Sequence, residues 1–593
     1  MRALTRTSWF PISKVRRSQL VTTFGPGSII DTRGDSAMLK GLASWPVPGK
    51  EYKIHDERLE AALDVAFFFQ PPPAPDGDGN GELLPVVKFP AFHHCPACTF
   101  LTDDFTAMER KRDGVRCPRC KKGKMVPARF IAACPQGHAQ DFPFREWCHG
   151  APTACQMAMT MRTRGMSSGL RDISIACECG KWRTMEGAFS GDALKKAGVS
   201  CLGDHPWGGP PSPNCKETPR TLQRGASNFY FAETLSSLSV PPWEGKVADI
   251  VKRFRMVMDT DPNPDDLEHQ AILGAIIKLK SFAGVQMDDV RRWVDETAKI
   301  LPRYRDTQSF KSDEFRAFSR AVSSDSPDPR FVVREVPVSE GMKGFVQQVV
   351  LVDSMVETRA LRGFRRIDPW APPTAAEGEH HAEDGLVELK EDSVDWLPAV
   401  RLSGEGIFIR FRNEPLGAWA GGAVARAKQL QSEIDRRLVS GRGRKVTVTP
   451  QLLLLHSFSH SLMNQLSLEC GYSSGALRER IYCGDADMAA VLVYTGSTDS
   501  EGTLGGLVSM GEGETLEGNM RQAIARAAWC SSDPICSETK NMGERTMNLA
   551  ACHACLFVPE TACEFFNSFL DRQALIGNLD GNGGFFEELL HAV

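Results

Sequence analysis

The clearest chemical signal in the sequence is a pair of Cys-x2-Cys motifs. Cys95 and Cys98 form the first motif, and Cys117 and Cys120 form the second. Such a turn presents two thiolates to one ion, and Zn²⁺ prefers four ligands arranged as a tetrahedron. The spacing therefore predicts a zinc ribbon. Four thiolates leave no open position for a substrate, so we expect this zinc to be structural.

Three further groups of cysteine and histidine could hold metal. We expect one zinc site from Cys177, Cys179, Cys201 and Cys215. We expect another near the C-terminus from Cys530, Cys536, Cys552 and Cys555, with Cys563 or His553 as a substitute ligand. An irregular group contains Cys134, His138, Cys148, His149 and Cys155, and here zinc binding and ordinary buried or loop residues remain open alternatives. The sequence thus predicts three to four zinc ions.

Other polar residues in apolar surroundings have a weaker signal. His456 and His460 lie four residues apart, on one face of a predicted helix, and could hold a metal. No glutamate accompanies them in a metalloprotease pattern, so we interpret them as buried, hydrogen-bonded histidines. We expect Cys470 and Cys483 to be core residues.

Motifs of autonomous catalysis are missing from the sequence. There is no G-x-x-x-x-G-K-[ST] phosphate loop, which argues against an ATPase or helicase. There is also no H-E-x-x-H, G-x-S-x-G or zinc-deaminase signature. The Gly-rich run at 502–506 has no lysine and is interpreted as a turn. We therefore expect a protein that is not an enzyme.

Basic residues recur in local runs although the chain carries a net charge of -4. Residues 110–129 are strongly basic, and a second run lies at 359–366. Such runs could contact phosphates in a salt-dependent, sequence-independent way, or could be ordinary solvated surface. The candidate nucleic-acid contacts are Arg110, Lys111, Arg112, Lys121, Lys122, Lys124, Arg362, Arg365 and Arg366.

The surrounding sequence predicts an α+β protein of several domains. At 593 residues, about three to four domains are expected. We expect an N-terminal segment at 1–90 and a multi-zinc region of zinc-ribbon-type knuckles at 91–220. A mixed α/β region at 221–445, with a loop at 371–385, precedes a C-terminal α/β domain at 446–593. The apolar helix at 449–469 contains several polar residues and is interpreted as buried, not membrane-spanning.

The cysteines also bear on the cellular compartment. The N-terminus has no apolar signal core, so we expect a cytoplasmic protein. Clustered cysteines in such a protein favour metal binding over disulfides.

The C-terminal motifs resemble a known domain. The segments 452–482, 493–512 and 551–572 resemble the helicase-associated zinc-binding domain at the end of MrfA-type DNA-repair helicases. The segments 16–31, 133–150 and 222–241 look like the DrmB family, which carries this domain as a stand-alone protein in DISARM anti-phage defence. The resemblance implies that Cys530, Cys536, Cys552 and Cys555 hold a stabilising zinc.

The resemblance also implies partners. DrmB-like proteins pair with a separate helicase subunit, DrmA, and the pair is implicated in recognising invading DNA. We therefore expect a non-catalytic zinc-binding subunit that docks a DrmA-like helicase and binds DNA through the complex. Two alternatives remain. One is a metal-dependent nuclease using Asp499, Glu501, Glu512 and Glu514, and the other is an assembly scaffold without DNA contact.

Overall fold

The computed structural model describes most of the chain. The described ranges are 14–32, 35–46, 49–73, 82–111, 114–163, 169–320, 330–369, 385–390, 394–439, 446–473, 475–484, 487–496, 506–538, 547–578 and 583–590. Several predicted features lie outside them: Arg112, Asp499, Glu501, most of the Gly-rich run and nearly all of the loop at 371–385.

The chain forms two compact units, each assembled from separate stretches of sequence. The first comprises Met1–Tyr52, Gln70–Thr234 and Leu361–Pro398, and the second comprises Lys53–Phe69, Leu235–Ala360 and Ala399–Val593. This division differs from the four consecutive regions expected from the sequence. The boundaries at residues 360 and 398 fall inside two long strands, Val346–Arg365 and Trp396–Phe411, where no change in composition marks them.

The first unit consists of small antiparallel sheets and short helices. A six-stranded sheet has the order Val126–Pro127, His93–His94, Phe100–Thr102, Met159–Thr163, Ile173–Cys177 and Trp182–Thr184. Two three-stranded sheets have the orders Ile29–Thr32, Asp35–Leu39, Val86–Lys88 and Ala139–Asp141, Phe130–Ala133, Arg220–Gln223. A two-stranded ribbon joins Glu109–Lys111 to Gly114–Arg116. The helices are Arg17–Leu20, Phe144–His149 and Ala193–Lys196.

Short strands bury little apolar surface, and the core of this unit is correspondingly local. Phe130, Phe142, Phe144 and Trp147 pack together beside the six-stranded sheet. Cys148 and Cys177 are part of this core, and Cys155 packs against it.

The second unit is built on long strands covered by helices. Its main sheet has the order Phe231–Leu238, Val346–Arg365, Trp396–Phe411, Ala490–Thr495, Leu477–Tyr482, and Val332–Val336 pairs with Val346–Arg365. The short strands Lys53–Ile54 and Phe67–Phe69 pair with each other. Strand Val387–Glu388 and the residues that it pairs with, Gly363 and Phe364, all belong to the first unit. The helices are Glu57–Leu63, Lys246–Met258, Leu267–Ile277, Met287–Ile300, Gln308–Ser319, Asn413–Val439, Pro450–Cys470, Gly506–Ser509, Gly513–Ala527, Ile535–Glu538, Gln573–Ile576 and Glu587–Leu590.

The predicted apolar helix is present as Pro450–Cys470. It begins where the Thr449 side chain accepts a hydrogen bond from Leu452 N, and it ends at Gly471, whose φ of 69° suits a residue without a side chain. Its polar face is buried along with its leucines, so His456 and His460 are fully enclosed. Among the described residues, no helix is long and apolar enough to cross a membrane. The prediction of an α+β protein of several domains is confirmed.

Candidate metal centres

The two Cys-x2-Cys motifs form matching knuckles. In the first, Thr99 N donates to Cys95 O (2.7 Å), and in the second, Lys121 N donates to Cys117 O (2.9 Å). Thr99 and Lys121 each follow the second cysteine and have left-handed φ values of 63° and 59°. The same backbone turn thus presents each pair of thiols. The sulfur atoms of Cys95 and Cys120 lie 3.8 Å apart, and those of Cys98 and Cys117 lie 3.6 Å apart.

The space beside this centre leaves no room for a side chain at Gly123. A Cβ added at Gly123 would lie 2.2 Å from Cys95 Sγ, and Gly123 N donates to Cys120 Sγ at 3.3 Å. Backbone N–H groups that point at thiolates are typical of the surroundings of a metal-bound sulfur. The residues present therefore fit the zinc that the spacing predicts.

The remaining N-terminal ligands are grouped differently from the sequence-based prediction. The structure brings together Cys134, His138, Cys201 and Cys215 in one cluster. Both Cys134 Sγ (3.2 Å) and Cys201 Sγ (3.5 Å) lie close to His138 Nδ1, and Cys215 Sγ lies 4.0 Å from Cys134 Sγ.

A second cluster contains His149, Cys155, Cys177 and Cys179. His149 donates from Nδ1 to Arg145 O (2.8 Å), which leaves Nε2 directed at Cys179 Sγ, 3.2 Å away. The sulfur atoms of Cys155 and Cys177 lie 3.6 Å apart. The strand Ile173–Cys177 pairs with Met159–Thr163, which brings Cys155 beside Cys177.

The sequence-based grouping is corrected accordingly. Cys177 and Cys179 do not lie with Cys201 and Cys215, because strand pairing joins the first two to the segment after helix Phe144–His149. Cys148 belongs to neither cluster. Its Sγ lies on the buried face of that helix and donates to Lys181 O at 3.4 Å.

The C-terminal cysteines form the cluster predicted from the sequence. Cys530, Cys536, Cys552 and Cys555 converge, with sulfur–sulfur distances of 3.5–3.8 Å. Cys563 is not part of it. It lies with His456, His460 and Glu479 in a fifth cluster, so it is no substitute for a thiol of the four-cysteine group.

These four centres fit zinc on two observations. Tetrahedral zinc with Zn–S bonds of about 2.3 Å places its sulfur ligands roughly 3.8 Å apart, and a disulfide would need about 2.05 Å. All 18 cysteines are free. Hydrogen bonds also lower the pKa of one thiol in each cluster, which favours the thiolate. Gly123 N donates to Cys120 (pKa about 6), and Lys181 N donates to Cys179 (pKa about 7). In the other two clusters a hydrogen bond between thiols lowers the pKa of Cys201 and Cys536 and raises that of their partners, Cys134 and Cys555.

The revised grouping makes a testable prediction. The single variants Cys177→Ser and Cys201→Ser should each lose one zinc ion per chain, and the double variant should lose two. If the two cysteines shared one site, the double variant would lose only one. Elemental analysis of the soluble, folded fraction gives the count, with circular dichroism to confirm folding.

The basic residues divide into exposed and buried sets. Lys121, Lys122 and Lys124 are exposed on the second knuckle of the zinc ribbon. Arg362 is partly exposed and lies 3.3 Å from Glu388. The side chains of Arg110 and Lys111 are outside the described part of the chain, as is all of Arg112.

Arg365 and Arg366 are buried. Arg366 donates to three backbone carbonyls of its own unit, at Gly27 (2.8 Å), Gly137 (2.7 Å) and Phe229 (2.7 Å). Its guanidinium also lies over the Phe229 ring, and burial lowers its pKa to about 9. Arg365 is 3% exposed. This placement removes both from the set of candidate phosphate contacts.

Comparison with known proteins identifies the family. The chain is 31% identical over 584 residues to the DISARM protein DrmB of Bacillus paralicheniformis, a match that covers 95% of this chain and all of that protein. The chain belongs to the DrmB family. The family resemblance predicted from the sequence is thereby confirmed.

Two family profiles match parts of this DrmB-family chain. A domain of unknown function (DUF8724) matches residues 16–231, which include the three N-terminal clusters. The MrfA Zn-binding domain matches residues 458–556, which include all of the C-terminal four-cysteine cluster. A zinc-binding domain related to that of MrfA is therefore present.

One solved structure is also similar in part. The crystal structure of the DUF1998 helicase MrfA bound to DNA is 11% identical, covers 36% of this chain and 23% of the helicase, and has a TM-score of 0.17. At that score, the likeness supports no structural argument about this chain.

Proposed function

We propose that this chain is a non-catalytic, zinc-binding subunit of an anti-phage defence complex. It pairs with a separate DrmA-like helicase and helps that complex bind invading DNA. Membership of the DrmB family supports the proposal. The four clusters also suit a scaffold, because each offers four protein ligands and leaves no position for a substrate.

The proposed DNA contact is the second knuckle of the zinc ribbon, Cys117–Cys120, with the exposed lysines that follow it. Lys121, Lys122 and Lys124 lie on a short turn held by the cysteines, so their charges are presented from a rigid support. Ammonium groups on such a surface neutralise phosphates and release counterions, which makes binding depend on salt.

The alternative of a metal-dependent nuclease included Glu512 and Glu514. Both residues are exposed, and Glu512 is paired with Arg334 at 2.8 Å. Nothing in their placement favours a nuclease.

Charge reversal of two of these lysines tests the proposal. Lys122→Glu/Lys124→Glu should weaken DNA binding by the complex with the helicase about tenfold or more. The slope of log K against log salt, which is negative, should become shallower by roughly 2, since each neutralised phosphate contributes about −0.9. Lys121 is left unchanged because its backbone has a left-handed φ of 59°.

The matched control reverses two exposed lysines elsewhere in the same unit. Lys195→Glu/Lys196→Glu makes the same change of charge at residues remote in sequence from the zinc ribbon. Equal effects in both double variants would mean that only net charge matters. An unchanged slope in Lys122→Glu/Lys124→Glu would show that these lysines are ordinary surface and do not contact phosphates. Crosslinking of the assembled complex to DNA would then test the scaffold without DNA contact. Loss of helicase co-purification in that variant would instead assign the lysines to the protein interface.

A further inference from the structure

A fifth cluster of potential ligands lies inside the second unit. His456 and His460 are one turn apart on helix Pro450–Cys470, Glu479 is on strand Leu477–Tyr482, and Cys563 follows the short turn Glu560–Ala562. The side chains of His456, His460 and Glu479 are fully buried, and Cys563 is 8% exposed. Three elements distant in sequence thus direct polar groups to one enclosed point.

The geometry of this point matches a metal centre. One ligand atom from each residue lies within 4.8 Å of the other three. His456 Nε2 lies 3.1 Å from both Cys563 Sγ and Glu479 Oε1, and His460 Nε2 lies 3.3 Å from the same oxygen. A zinc ion with bonds of about 2.0–2.3 Å to nitrogen, oxygen and sulfur separates its ligands by roughly 3.3–3.8 Å.

We propose that His456, His460, Glu479 and Cys563 bind one Zn²⁺ ion as a closed structural site. The site is additional to the four clusters predicted from cysteine spacing or found by regrouping them. Its ligand set of two imidazoles, one carboxylate and one thiolate consists of ordinary zinc ligands. The two positive charges of the ion are balanced by one carboxylate and one thiolate. The whole centre is therefore neutral, which allows it to be buried away from water.

The hydrogen bonds around the cluster orient the ligands toward its centre. His460 Nδ1 lies 2.9 Å from Leu556 O, which can only accept, so this nitrogen carries the proton. In the neutral ring, His460 Nε2 then presents a lone pair to Glu479 Oε1, itself an acceptor. A cation between the two atoms satisfies both. A histidine that donates its second N–H to a carbonyl is the usual arrangement at zinc.

Cys563 and Glu479 are also held by hydrogen bonds, which both accept. Phe565 N and Asn567 N each donate to Cys563 Sγ at 3.2 Å. Glu564 N donates to Glu479 Oε1 at 3.3 Å, and Ser459 Oγ donates to the other oxygen of that carboxylate. Two backbone N–H groups on one sulfur favour a thiolate.

A hydrogen-bond network without metal explains the cluster less well. It needs an additional buried proton between His460 Nε2 and Glu479 Oε1, either on the ring, which would then be charged, or on the carboxyl group. A zinc ion bound to both atoms removes the need for that proton.

The proposed ion would stabilise the segment that carries two ligands of the neighbouring four-cysteine centre. Leu556, whose carbonyl orients His460, directly follows Cys555, and Asn464 of the same helix donates to Cys555 O at 3.4 Å. Zinc at the fifth cluster would therefore cross-link helix Pro450–Cys470 to Cys563, while the hydrogen bonds at Cys555 and Leu556 join the same helix to the other part of that segment.

Zinc content of full-length variants tests the proposal. Cys563→Ser and His460→Gln, purified from zinc-supplemented cells, should each contain one zinc ion fewer per chain than the unmodified protein. Cys552→Ser/Cys563→Ser should lack two. The matched control is His55→Gln, because His55 is also a buried histidine, with Nδ1 2.9 Å from Glu60 Oε1, but belongs to none of the ligand clusters found among the described residues. It should keep the full count. Unchanged zinc in folded Cys563→Ser would overturn the proposal.

A measurement on the unmodified protein tests the proposed site even if the variants fail to fold. Crystals of the zinc-supplemented protein should show anomalous scattering at the zinc edge between His456 Nε2 and Cys563 Sγ. A peak at the four-cysteine centre with none at the fifth cluster would refute the site. Because neither experiment involves DNA or the helicase, the result is independent of the proposed function.

Discussion

Replacing Cys552 with serine should remove one zinc ion per chain and unfold the C-terminal segment around residues 547–578. Structural zinc has apparent binding free energies of about 10–16 kcal/mol in zinc-finger peptides, comparable with the ~5–15 kcal/mol net stability of a typical domain. Elemental analysis and hydrogen exchange over 547–578 measure the two effects. We expect exchange in that segment to approach the unfolded rate.

The segment depends on the metal because it has little regular secondary structure of its own. Between residues 547 and 578 the structure has turns, one short helix, Gln573–Ile576, and a small apolar cluster of Ala551, Leu556 and Leu570. The four thiols tie this segment to residues 530–536, which follow helix Gly513–Ala527. Without the ion, the buried thiols would face one another unpaired.

Cys470→Ser provides the control for this experiment. Cys470 ends helix Pro450–Cys470 and belongs to none of the clusters formed by the described residues. Its replacement should leave both zinc content and exchange unchanged. Normal protection in zinc-free Cys552→Ser would show that packing alone maintains the segment, contrary to our expectation.

How much of these centres could be predicted depends on sequence distance. Cys-x2-Cys motifs are local, because one turn of backbone places both thiols, and the sequence was sufficient for the zinc-ribbon and C-terminal clusters. The other two N-terminal clusters depend on the pairing of strands such as Met159–Thr163 with Ile173–Cys177. Spacing alone does not reveal that pairing, so the sequence-based prediction assigned Cys177 and Cys179 to the same site as Cys201 and Cys215.

The fifth cluster shows the same limit more strongly. The spacing of His456 and His460 was visible, but Glu479 and Cys563 come from a strand and a loop that pack on the helix only in the folded chain.

The basic run at 359–366 was misleading for a related reason. Arg366 lies beside Phe364 at the end of a long strand and fits into an aromatic and carbonyl-lined enclosure. Charge counting cannot distinguish such a residue from an exposed one.

The second large effect concerns a buried ion pair in the second unit. Glu314 of helix Gln308–Ser319 accepts hydrogen bonds from Arg480 Nη2 (2.7 Å), Tyr482 Oη (3.2 Å) and Leu238 N (3.1 Å). Glu314 is 0% exposed and Arg480 is 5% exposed. The carboxylate therefore joins one helix to two strands of the main sheet, through charge as well as hydrogen bonds.

Glu314→Gln should lower the free energy of unfolding of this unit by about 3–5 kcal/mol, because it leaves the Arg480 guanidinium buried without its counter-charge. Arg480→Met should lower the free energy of unfolding by a similar amount, since it leaves the Glu314 carboxylate buried without its counter-charge. The double variant Glu314→Gln/Arg480→Met should lose clearly less than the two single losses added together. It contains no buried charge at this point, and the amide oxygen can still accept from Leu238 N.

Denaturant unfolding, followed by hydrogen exchange in strand Leu477–Tyr482, measures these differences within the unit concerned. Arg292→Met is the control. It breaks an exposed pair with Asp289, at 3.7 Å, and should cost less than about 1 kcal/mol. Additive losses in the double variant would show that Glu314 and Arg480 act independently. The long strands and their helix would then be held by apolar packing around Phe315, Phe318 and Phe408, and not by this pair.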